Sequence, residues 1–204
     1  GQISANPLWK DIENVYLNST FGGNIGQLTP KKPRWDFIVD LCSTPNMTLT
    51  GNFDYLMIEL DEELHFNPYR EETLKRAVYK RAFLSKFPSN AYIGYCSSHK
   101  GACLKRGSFG NYWSTNASEV QFNKPSSPGN LVGVGSPRWK QRAIYDLIKD
   151  AAPGFIDNIC VSRISVWDKL PTVTKPLGPV LQRLPAAFCH QASIVALLKC
   201  RIFP

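Results

Sequence analysis

Six cysteines, Cys42, Cys96, Cys103, Cys160, Cys189 and Cys200, constrain this 204-residue chain more than any other feature. An even count suits a disulfide framework, although six half-cystines allow 15 pairings. Zinc asks for ligand pairs with about two to four residues between them. The closest cysteines, Cys96 and Cys103, have six between them, and His65, His99 and His190 complete no second pair. No metal site and no cofactor is therefore expected. Asn18-Ser19-Thr20, Asn46-Met47-Thr48 and Asn116-Ala117-Ser118 each fit the N-glycosylation pattern and lie beside turn-forming residues. Cysteines and sequons together point to a secreted, extracellular glycoprotein carrying N-linked glycans. No run approaches the roughly 18 apolar residues of a bilayer span. No signal segment is visible, so the expectation is a processed chain beginning at Gly1.

The charge balance, 24 Lys and Arg against 16 Asp and Glu, gives +8. Such an excess favours nucleic acid, anionic glycans or an acidic protein face. Basic residues concentrate in two segments, 69–86 and 99–107. A hydrophobic content of 43% is enough for one good core.

Period and punctuation place the elements. The first 33 residues read as loop-rich, with 19–33 crowded by glycine and proline. "WDFIVDL" (35–41) reads as a largely buried strand. "MTLTGNFDYLMIEL" (47–60) reads as two strands about Gly51-Asn52, with Phe53, Tyr55, Met57 and Glu59 on one face. "NAYIGYC" (90–96) and "NYW" (111–113) read as strand pieces, and residues from Ile159 to Trp167 alternate as a strand should. Two segments switch to helical spacing. Asn67 caps the first and Pro68 opens it, with Leu74, Ala77, Val78, Ala82 and Ser85 on one stripe. Ser136 caps the second, Pro137 opens it, and Pro153-Gly154 ends it. Trp139, Ala143, Ile144, Leu147 and Ile148 face inward there. "LPTVTKPLGPVLQRLP" (170–185), with four prolines, reads as an extended linker between a domain at 1–169 and an apolar tail at 186–204.

Catalytic patterns are absent. There is no Gly-x-Ser-x-Gly, and "CSSHKGAC" (96–103) reads as a disulfide-bounded loop around His99. "DEEL" (61–64) reads as a solvated turn, and "VGVGS" (132–136) as a strand-to-helix turn without a phosphate-binding pattern. No pair of histidines stands in a ribonuclease context. No catalytic residue, and no enzyme, is expected.

Three places carry a family resemblance: "VDLC" (39–42), "AYIGYCSSH" (91–99) leading to Tyr112-Trp113, and "TKPLGPVLQRLP" (174–185). In order and spacing they resemble the receptor-binding domain of a gammaretrovirus-type envelope surface glycoprotein, viral or captured by a host. The resemblance implies a mainly β chain, an antiparallel immunoglobulin-like sandwich with helical insertions (α+β overall), on a secreted or virion-surface protein. It implies a Cys42–Cys96 bridge, leaving Cys103–Cys160 and Cys189–Cys200 as the remaining pairs. It implies a cell-surface receptor, a multipass transporter, as partner for viral entry or receptor interference. Arg70, Lys75, Arg76, Lys80 and Arg81 would be the contacts, displayed on a helical excursion; nucleic acid is not a partner in this reading. The chain departs from the family in having "GSFGN" (107–111) before the aromatic pair and "SANPLWK" (4–10) without a histidine. The alternative is a secreted basic enzyme or effector acting on polyanions such as RNA or glycans, whose affinity would fall steeply with salt.

Overall fold

The computed structural model describes residues 3–29, 33–40, 53–81, 87–171, 173–182 and 190–202. The chain forms two compact units: one from Gly1–Pro33 and Glu63–Phe155, the other from Arg34–Glu62 and Ile156–Pro204.

The first unit is helical. Asn6 caps α1 (Pro7–Leu17) through its Oδ1, which accepts from the Leu8 N–H at 2.9 Å, with Pro7 at the first position. The first 33 residues, read as loop-rich, thus include an eleven-residue helix ahead of the glycine- and proline-crowded stretch at 19–33. Asn67 caps α2 (Pro68–Leu74), its Oδ1 accepting from the Tyr69 and Arg70 N–H groups. A 3₁₀ turn, Ala77–Lys80, follows α2. Next come the long helix α3 (Ser89–Gly107), the single turn α4 (Gly110–Trp113) and α5 (Asn116–Phe122). Residues 91–96 and 111–113 are therefore helical where strands were expected. The reason lies in what they bury: Tyr92, Cys96, Cys103 and Gly107 are the buried residues of α3, and their spacing of four, seven and four is a helical stripe.

At the centre of this unit runs α6 (Pro137–Ala151), packed against α1, α2, α4 and α5. Ser136 Oγ accepts from the Trp139 N–H at 3.2 Å and donates to the Trp113 carbonyl at 2.6 Å, so one hydroxyl both caps α6 and ties it to α4. Trp139, Ala143, Ile144, Leu147 and Ile148 are buried as their spacing demands. Trp113 meets Trp139 edge-on with ring centroids 5.2 Å apart. Gly107 is a close-approach position: a Cβ there would lie 2.7 Å from Leu64 Cδ2 and 2.8 Å from Trp139 Cζ2.

The second unit holds a three-stranded sheet in the order β1 (Phe37–Asp40), β2 (Tyr55–Asp61), β3 (Ile159–Ser165). β1 pairs antiparallel with β2, whereas β2 and β3 run parallel. A parallel pair cannot be closed by a tight hairpin and needs a long crossover. This sheet is mixed, and helices dominate the chain. That overturns the antiparallel immunoglobulin-like sandwich that the envelope resemblance implied.

The segment 170–185 is not an extended linker over its described part. Lys169–Leu170 (β4) and Val173–Pro176 (β5) pair as a short antiparallel ladder, and α7 (Leu177–Leu181) follows. Leu170, Leu177 and Val180 are buried with Leu56, Ile58 and Ile164. The Gly178 N–H reaches the Val166 carbonyl at 2.8 Å, and a Cβ at Gly178 would sit 3.0 Å from Val166 Cβ. Glycine here allows close packing. The apolar C-terminal stretch supplies α8 (Gln191–Ile202), which packs on β3 and β4 and adds Leu197 to the same core.

Candidate functional site

Strand period decides which side chains of the sheet share a face. Leu56, Ile58 and Leu60 of β2 point one way, into the apolar core with Val39 and Ile164. Met57, Glu59 and Asp61 point the other way. The register sets Glu59 beside Arg163 and Asp61 beside Ser165 of β3, and Met57 beside Ile38 of β1. Charge thus gathers at the carboxyl end of the parallel pair, the end at which open α/β sheets bind ligands.

None of these groups is solvated. Glu59, Asp61 and Arg163 are each 1% exposed and Ser165 is fully buried. Arg163 Nη1 pairs with Asp61 Oδ1. The residue before β1 joins the set: Asp36 Oδ2 accepts from the Leu60 N–H at 2.9 Å, while Glu59 Oε1 accepts from the Asp36 N–H at 3.2 Å. This reciprocal exchange ties each side chain to the backbone of the other segment, with Asp36 itself exposed. Beyond β3, Asp168 Oδ2 accepts from the Ser165 N–H at 2.8 Å and its Oδ1 from Arg201 Nη2 at 2.6 Å, closing the turn below the strand.

Burying charge is expensive, and replacing a buried ion pair by apolar residues is often neutral or stabilising. Glu59 and Asp61 are buried on this face with Arg163, while Asp36 stands exposed at its edge. The oxygen donors of these carboxylates are those that magnesium and manganese prefer. "DEEL" was expected to be a solvated turn; its first carboxylate is instead a buried member of this face. The missed signal is Glu59-x-Asp61, two acids on the same side of an otherwise apolar strand.

The helical unit holds a buried ion network of its own. Arg70 Nη2 meets Asp150 Oδ2 at 2.6 Å and Arg70 Nη1 meets Tyr79 Oη at 2.7 Å. Tyr79 Oη donates to the same Asp150 oxygen at 2.5 Å. His65 Nδ1 lies 2.9 Å from Asp146 Oδ2. Arg70, expected as a displayed contact, is 1% exposed: its position on the first turn of α2 turns it inward onto α6. Lys75, Lys80 and Arg81 are exposed and Arg76 is half-buried, but Lys75 pairs with Glu71, Arg76 with Glu72 and Arg81 with Asp11. Three of these four surface cations are thus ion-paired.

Cys96, Cys103, Cys160 and Cys200 are free thiols, so the Cys103–Cys160 bridge is not formed; Cys42 and Cys189 lie outside the described residues. Cys96 and Cys103 sit in the helical core, where burial pushes each thiol up to about 12. Of the sequons, Asn46 lies outside the described residues and Asn116 is exposed at the start of α5. Asn18 accepts from the Thr20 and Phe21 N–H groups through Oδ1, and its Nδ2, the atom a glycan would occupy, is buried.

Lys140 gives the helical unit a distinct pH response. Its Nζ is buried against the Phe21 carbonyl at 2.9 Å and over the Tyr69 ring, and burial lowers its pKa to about 8. Between about 8 and the ordinary lysine value of 10.5 the unfolded chain holds more protons, so stability rises with pH. The two buried thiols act oppositely: above their ordinary value of 9.0 the unfolded chain loses protons that the folded one keeps until about 12. Urea titrations from about pH 7 to about pH 10 should therefore show greatest stability near pH 9. The Lys140→Met variant should lose the rise below that maximum.

The family described as "Family of unknown function (DUF7255)" matches residues 21–183, which draw on both units. No curated protein and no solved structure matches the chain.

Proposed function

Since the chain belongs to DUF7255, a family of unknown function, its chemistry must be read from its own side chains, and we propose a divalent-cation-dependent hydrolase of phosphodiesters. The observation that carries this reading is the pair of buried carboxylates Glu59 and Asp61 on one face of β2, each 1% exposed, with the exposed Asp36 hydrogen-bonded to the same strand at its edge. Magnesium is bound in such sites through one or two carboxylates plus the phosphate of its substrate. Asp36 and Glu59, each held by a main-chain N–H, present preorganised oxygens; Asp61 is oriented by Arg163. Bound there, the cation would polarise the phosphoryl group and lower the pKa of an attacking water. Water oxygen bonds to phosphorus, the bond to one bridging oxygen breaks, and that oxygen leaves with a proton. A chain of net charge +8 draws such a polyanion in by its overall field, although the face itself is acidic.

This is the polyanion-directed alternative of the sequence reading in sharper form. The envelope resemblance implied a sandwich fold, which the described residues do not form, and five basic contacts, of which Arg70 is buried while Lys75, Arg76, Lys80 and Arg81 lie at the surface. The test is incubation of the chain with labelled single- and double-stranded DNA and RNA in magnesium or manganese. Cleavage that requires the cation and stops in EDTA is expected. Intact substrates under all conditions, or cleavage undiminished by EDTA, would count against the reading.

A further inference from the structure

The helical unit carries an open cleft of about 970 Å³ between the α3–α4 turn, α5 and the first turns of α6. Phe109 and Tyr112 line it while 65% and 56% exposed, which is unusual for two large rings so near each other. Arg138 and Arg142, one turn apart on α6, line the same cleft, with Asn111 beside them. Burial and then the charge of Arg142 lower the pKa of Arg138, as expected for two guanidinium groups at close quarters. Arg138 also contacts Gln141 Oε1. Glu119, on the same wall, accepts from Ser114 Oγ at 2.8 Å and is held there.

Each component has a counterpart in one ligand chemistry. Exposed ring faces stack on bases of any sequence, and paired arginines hold a backbone of phosphates. An acidic protein carries its carboxylates and its rings on separate side chains without the regular alternation of base and phosphate along a strand, and a sulfated glycan has anionic groups but no aromatic face. A duplex keeps its bases stacked inside and away from the rings. Charge complementarity and the exposed aromatics therefore select one occupant.

We infer that this cleft binds single-stranded nucleic acid, with bases on Phe109 and Tyr112 and phosphates on Arg138 and Arg142. The inference supplies a substrate class for the hydrolase proposed above, but binding at the cleft stands or falls separately from cleavage. Nucleic acid was set aside in the receptor-based reading of the sequence; the cleft restores it.

The probe is a fluorescein-labelled oligothymidylate about 12 nucleotides long, titrated with the full chain by fluorescence anisotropy in EDTA. Absence of metal separates binding from hydrolysis. Phe109 and Tyr112 are exposed, so the Phe109→Ala/Tyr112→Ala variant should fold, which circular dichroism verifies. It is expected to bind the single strand at least about 10-fold more weakly with an unchanged salt slope. Arg138→Gln/Arg142→Gln should instead flatten the salt dependence. Equal affinity of wild type and the aromatic variant, tighter binding of a duplex, or heparin binding unaffected by either variant where the oligonucleotide shows none would overturn the inference. Failure of cleavage with binding intact would leave the cleft standing and remove only the hydrolase.

Discussion

Replacing Glu59 by Gln should lower cation-dependent phosphodiester cleavage by about 100-fold or more while leaving the fold in place. The amide matches the carboxylate in volume, and one oxygen can still accept the Asp36 N–H. What it loses is charge, and with it affinity for a hard cation. Asp61→Asn should be at least as damaging to cleavage and should also weaken folding, because Arg163 would be left buried opposite a neutral partner. The two variants thus separate a role in chemistry from one in structure. Manganese affinity, measured calorimetrically, should fall in both, and circular dichroism should report a native fold for Glu59→Gln. A Glu59→Gln protein that cleaves at the wild-type rate would remove this carboxylate from the reaction.

Arg70→Ala should destabilise the helical unit by about 3–5 kcal/mol, the usual result of removing one partner of a buried ion pair. Asp150, fully buried, would keep the hydrogen bond from Tyr79 Oη but lose the guanidinium that now faces it. The loss is read in urea denaturation followed by helical circular dichroism. If the cause is the stranded carboxylate, removing both charges should restore much of the stability, so Arg70→Met/Asp150→Leu should lose less than Arg70→Ala alone. A small effect of the single substitution, or a double variant weaker than the single, would mean that packing and not charge governs this core. Either way Arg70 is internal, and its truncation probes the fold, not a docking surface.

Local signals were legible in the sequence where one residue does one job. Asn67 and Ser136 cap the helices they were read to cap, Pro68 and Pro137 open them, and the inward face of α6 follows from spacing alone. The alternation from Ile159 gave β3. What misled was chemistry with two meanings. Tyr92 and Cys96 in "AYIGYC" alternate acceptably for a strand over six residues; only Cys103 and Gly107 further along reveal a helix. Free sulfur in a buried helix looks, as composition, the same as half of a disulfide. Prolines and glycine at 176–179 read as a spacer, because nothing local says that Val166 lies against Gly178.

The candidate site was illegible for a different reason. Glu59 was placed on its proper strand face, yet an acid at a strand end is ordinary until its neighbours are known. Those neighbours come from register: Asp36 from 23 residues away, and Arg163, which meets Asp61 across 102 residues. Strand pairing at that separation depends on the whole crossover, and the wrong fold class hides it. The cleft of the helical unit escaped likewise, since Phe109 and Tyr112 look like core residues until their exposure is known.

The most direct measurement is anomalous scattering from crystals of the chain soaked in manganese. A peak within coordinating distance of the Asp36, Glu59 and Asp61 carboxylates, absent from Glu59→Gln crystals treated alike, is the expected result. A well-ordered sheet with no manganese at those oxygens, at concentrations that saturate other magnesium enzymes, would contradict the account.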